Sequence, residues 1–114
     1  MEFNIETAPP GYRMPGYSDV AATADGSHPL AVADLTARMA DAQARQDLGA
    51  FLWARQVARD AMESFRERPT EPRRRAAMAA SVLARRANEV ALKSAKAAQD
   101  AADRAASEYE KCAA

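Results

Sequence analysis

A chain of 114 residues has room for one domain, and because its hydrophobic fraction of 48% is largely alanine, the core it can build is thin. Sixteen basic and sixteen acidic residues cancel to zero net charge, which excludes a global field drawing the chain to nucleic acid or a membrane surface. A single Cys and a single His exclude an intramolecular disulfide and the usual Cys/His zinc set within one chain.

Residues 1–27 hold three of the six prolines and three of the four glycines and follow neither a helical nor a strand period. They predict an extended, irregular arm. Within it Pro10-Gly11-Tyr12-Arg13-Met14 is followed directly by Pro15-Gly16-Tyr17-Ser18-Asp19. Pro then Gly suits the two central positions of a type II turn, so each turn would present a tyrosine just after it. Tyr12 and Tyr17 are therefore candidate anchors on a partner, with an unstructured terminus as the alternative. No charged segment followed by an apolar stretch opens the chain, so synthesis in the cytoplasm without a signal peptide is expected.

A helical hairpin is predicted over residues 28–114. Its first helix, about 28–68, opens with Ser27 as N-cap and Pro29 in the first turn, where a missing N–H does no harm. Leu30, Leu35, Met39 and Ala42 make one apolar seam, and a thicker one runs from Leu48 through Phe51, Leu52, Ala54, Val57, Ala58, Ala61 and Met62 to Phe65. Trp53 is read as core. Gly49 costs about 1 kcal/mol relative to Ala inside a helix, so the expectation of a continuous rod stands beside a kink near 47–49 with Asp47 as a cap.

Arg68-Pro69 breaks the first helix, and Thr70, Glu71 and Pro72 supply the start of a second, about 71–112, free of further Pro or Gly. Such a rod would be roughly 60 Å long. Its apolar stripe is shallow, with Leu83, Ala87, Val90, Ala91, Ala95, Ala98 and Ala102 as candidate helix-packing positions. A buried methyl contributes only about 0.8 kcal/mol, so an alanine face holds another helix only at close approach. The short connection at Pro69-Thr70 favours antiparallel pairing, and the fold class is all-α: a long, alanine-rich, coiled-coil-like antiparallel hairpin behind an irregular arm. In that pairing Leu35 and Met39 would face the alanines at 98–105.

No catalytic, cofactor or metal residues emerge. The glycines open no phosphate loop, and the acidic residues are spread along solvent faces with little core to desolvate them, so no enzyme and no cofactor are expected. Cys112 and His28 would meet at the open end of the hairpin, but without a pocket or oxyanion donors they read as an exposed thiol and a first-turn residue. Residues 71–98 carry seven basic groups against Glu71 and Glu89. Arg73, Arg74, Arg75, Arg85 and Arg86 are candidates for an acidic partner. A solvated face is the favoured reading over nucleic acid, because Ala and Met lie between the arginines where a base-reading helix would carry Asn or Gln. Every alanine tract is interrupted by Arg or Lys, so no membrane span is expected.

The segment 87–106, in which alanine is punctuated by Ser94, Lys93, Lys96, Asp100 and Asp103, resembles in composition the coiled-coil stalks of bacteriophage tail fibres and related virion proteins. Similar stretches occur in apolipoprotein-like and phasin-like helical proteins. The resemblance implies a non-enzymatic structural or assembly role, plausible for a phage particle, and carries over no functional residue. A lone hairpin leaves one side of each helix open, so an oligomer or a larger assembly is expected. The alternative is a small regulatory protein, an inhibitor or chaperone, using its arginine face on an acidic protein or nucleic acid.

Overall fold

The computed structural model describes residues 28–113, which form two α-helices, α1 (Pro29–Glu67) and α2 (Glu71–Ala113), paired antiparallel along their length. Among these residues there is no strand. The rod measures 65 × 22 × 19 Å. The predicted arm, with Tyr12 and Tyr17, lies outside the described residues.

Proline sets both ends of α1. A residue before proline is pushed out of the helical region, which holds His28 extended at φ −64°, ψ 135° and Arg68 extended at φ −137°, ψ 95°. The N-cap is therefore His28 and not the expected Ser27: His28 Nδ1 accepts the Leu30 N–H at 3.1 Å. At the other end the Ser64 carbonyl accepts both the Arg68 N–H at 3.1 Å and Arg73 Nη1 at 3.0 Å. That second bond ties α2 back onto the last turn of α1. The Thr70 carbonyl takes the Arg74 N–H at 3.0 Å, placing Thr70 at the start of α2 as the sequence predicts.

Helix α1 is continuous through Gly49, so the break does not occur. Asp47 caps nothing. One of its carboxylate oxygens accepts Gln43 Nε2 at 3.0 Å and the other accepts the Ser94 hydroxyl from across the hairpin. The same side chain thus spans one turn of its own helix and fixes the register of α2 beside it.

The contact between the helices is made by small residues. Leu30, Ala37, Ala44, Leu48 and Ala54 from α1 meet Ala77, Ala80, Ala91, Ala101 and Ala105 from α2, all buried. Leu30 and Ala105 are wholly inaccessible, and with Ala37 and Ala101 they form the core at the open end, against which Ala33, Ala40 and Tyr109 pack. Burying Leu30 contributes roughly 1.5 to 3 kcal/mol and each alanine methyl about 0.8.

Three packing expectations are corrected by this seam. Leu35 and Met39 do not face the alanines at 98–105, and Trp53 is not core: they are 59%, 66% and 71% exposed. Leu83 and Val90, expected at the helix contact, also point outward, whereas Ala91 is buried and Ala87, Ala95, Ala98 and Ala102 are half-buried. The physical reason is phase. A helix turns one stripe to its neighbour, and the stripe through Leu30, Ala37, Ala44 and Leu48 lets two alanine faces approach closely. Asp34 and Asp41, on the same side, are met by Arg38 and Arg45 of their own helix, each at 3.0 Å.

Candidate functional site

With the seam assigned, the outer face of α1 stands out. Leu35, Met39, Ala42, Gln46, Gly49 and Trp53 follow the alternating spacing of four and three that keeps side chains on one line of a helix, and Val57 lies one turn beyond Trp53. None of these positions is charged. All lie outside the contact with α2, and a Cβ built on Gly49 would meet nothing within 4 Å. On α2, Leu83 and Val90 are seven residues apart and share a second exposed line. Together these side chains make exposed apolar lines on both helices, larger than scattered single surface residues.

The arginine candidates separate into two groups. Arg73 is spent on the Ser64 carbonyl, and Arg74 holds Glu71 through two bonds of 2.9 and 2.7 Å while Arg75 reaches the same carboxylate at 3.3 Å. The Arg74 hydrogen bond draws the Glu71 carboxyl below its ordinary value, and the carboxylate in turn raises Arg74. Arg74 Nη1 also lies 3.1 Å from the Met78 sulfur. Arg85 and Arg86 are exposed about two turns beyond Met78, at the edge of this cluster. The structure thus turns three of the five arginines to closing the hairpin and capping α2.

Cys112 Sγ lies 4.0 Å from His28 Nε2 at the open end, as the antiparallel pairing predicts. The hydrogen-bond pattern argues against a base and nucleophile. Because Nδ1 accepts from the Leu30 backbone, the proton of the neutral imidazole sits on Nε2, and that N–H points at the sulfur. A general base would need a free lone pair there. Among the described residues no group of three or more His, Cys, Asp or Glu is placed to hold a metal ion. No described helix is long and apolar enough to cross a membrane.

Two shallow depressions lie among the described residues. One of about 550 Å³ lies between the helices at the open end, floored by Val32, Ala33 and Ala101 and rimmed by Arg104, Glu108 and Lys111. The other, about 420 Å³, lies along α1 near the turn among Arg55, Arg59, Met62 and Arg66, where Arg55 stacks 5.5 Å from the Phe51 ring centre. Reading the sequence missed the outer face of α1 because it merged Leu30, Leu35 and Met39 into one seam. Separating the two lines by their fixed heptad offset would have found it. Compared with family models, curated proteins and solved structures, the chain matches none.

Proposed function

We propose that this chain is a non-enzymatic structural or assembly protein, a stiff helical hairpin that packs by its outer helix faces against other protein. The observation that carries the reading is the uncharged outer face of α1, where Leu35, Met39 and Trp53 are each more than half exposed. Side chains of that size lose roughly 1.5 to 3 kcal/mol each by staying in water, which is a standing drive to associate. The compositional resemblance of residues 87–106 to phage fibre stalks makes a bacteriophage particle the setting proposed for it. Residues 1–27, with Tyr12 and Tyr17, would dock on a neighbouring subunit.

The alternative, a regulatory binder using its arginine face, has less support, since Arg73, Arg74 and Arg75 are engaged within the chain. The test is sedimentation of the native protein under mild conditions, followed by identification of the species it travels with. Multiples of 12.3 kDa, or cosedimentation with a particle, support the assembly reading. A 12.3 kDa monomer that binds only an acidic protein or nucleic acid, and loses that binding on Arg85→Ala with Arg86→Ala, would replace it with the alternative.

A further inference from the structure

The outer face of α1 is symmetric about its own centre. Leu35 and Val57, Met39 and Trp53, and Ala42 and Ala50 lie in pairs at equal distances on either side of Gln46. A helix with that pattern is complementary to itself when a copy runs alongside in the opposite direction. We propose that the outer face of α1 is the interface of an antiparallel, two-fold homodimer centred on Gln46, with Met39 of each copy against Trp53 of the other. This inference rests on the assembly reading above and names the partner as a second copy of this chain.

Four observations on the molecule converge on that partner. The first is exposure: Leu35, Met39, Trp53 and Val57 leave 59%, 66%, 71% and 38% of their surface in water along one side of α1. The second is Gly49, which no contact among the described residues requires, since its missing Cβ faces open space. In the antiparallel pairing Gly49 falls level with Gln43 and Ala50 with Ala42, so small residues flank the central Gln46 pair and let the two helices approach closely there. The third is Gln46, the one polar side chain on the line between Leu35 and Trp53, which falls on the two-fold axis. There it meets its own copy, and an amide pair satisfies both partners while fixing the register, as a single polar position does in coiled coils.

Charge supplies the direction. Between residues 50 and 89, around the turn, nine arginines face five carboxylates, whereas the remaining described residues carry six basic groups against seven acidic ones. Parallel association would stack two basic ends. Antiparallel association lays the basic turn of each copy beside the mildly acidic open end of the other and opposes the two α1 dipoles.

Single cysteines placed in the full-length Cys112→Ser protein test the geometry by mild oxidation. Gln46→Cys is expected to cross-link to itself; Met39→Cys and Trp53→Cys are each expected to fail alone and to cross-link when mixed. A Met39→Glu variant should keep its helical circular dichroism, since the residue lies outside the intrachain contact, and weaken dimerisation by about 100-fold or more. Gly49→Leu should do the same. Self-cross-linking of Met39→Cys and Trp53→Cys alone would mean parallel pairing and would overturn the proposal. Oligomers that form without any of these cross-links would overturn it too, while leaving the assembly reading intact with another face in use. A monomer at every concentration up to the millimolar range overturns it outright, and the assembly reading then stands or falls on cosedimentation with a particle.

Discussion

At His28 a single imidazole closes the start of α1 through Nδ1 and reaches Cys112 through Nε2. The first turn of α1 has no acidic residue, so its backbone N–H groups lack the negative charge that the helix dipole favours. His28→Asp is expected to keep a cap acceptor, add that charge and stabilise the hairpin by about 0.5 to 1 kcal/mol, read as a higher Tm at pH 7. Glu71 supplies the corresponding charge at the start of α2, and its hydrogen bond from Arg74 lowers its pKa on folding. A carboxylate lowered in the folded state adds stability above its unfolded pKa and loses it as pH falls through the folded value. The group is fully exposed, so the effect is small and screened by salt. In an NMR titration Glu71 should have its midpoint below that of an ordinary glutamate, and Arg74→Ala should raise it. Trp53 shows where a residue type misleads: tryptophan is usually buried, and only its phase relative to Leu48 and Ala54 tells that it points away from α2.

For the two helices, the boundaries were readable because the signals are local and strong: proline at 29, 69 and 72, and no glycine or further proline in α2 after Pro72. The buried line was harder to read. Alanine is so frequent on α2 that its hydrophobic period barely distinguishes one face from another, and the choice is made by fit to α1, where Leu30, Ala37, Ala44 and Leu48 are buried against α2 and Leu35 and Met39 are not. Substitutions should resolve the two faces. Ala91→Glu places a carboxylate in the close helix contact and is expected to cost about 2 kcal/mol or more, whereas Ala97→Glu, on an exposed position, should stay within about 0.5. Thermal melts of both variants decide this. The bond from the Ser94 hydroxyl to Asp47 joins the two helices near the middle of the rod, and Ser94→Ala should lose about 1 kcal/mol. Asp47→Ala in a double-mutant cycle with Ser94→Ala should give a coupling of about 0.5 kcal/mol or more if the two act as a pair.

The whole molecule is longer than its mass would suggest: its radius of gyration is 19.6 Å, against about 13 Å for a compact domain of 100 residues. Sedimentation should therefore show a high frictional ratio even for a single copy, and Trp53, the only tryptophan, reports association directly. Its emission is expected to shift to longer wavelength on dilution as the outer face of α1 returns to water; emission independent of concentration would mean that this face stays wet. The all-α hairpin was legible from the sequence because each half is uniformly helical and the connection is too short for anything but reversal. The outer faces were not, since choosing between the lines through Leu30 and through Leu35 depends on the fit to α2. The reversal at Pro69 also dictates the order in which the chain comes together. Paired groups lie nine residues apart at Ser64 and Arg73 and eighty-four apart at His28 and Cys112. Closing the longer span first would cost about 2 kcal/mol more in chain entropy than closing the shorter. Folding is thus expected to nucleate beside Pro69 and zip outward in short steps, and the open end, where Leu30 meets Ala105, is the last place to close and the first to part.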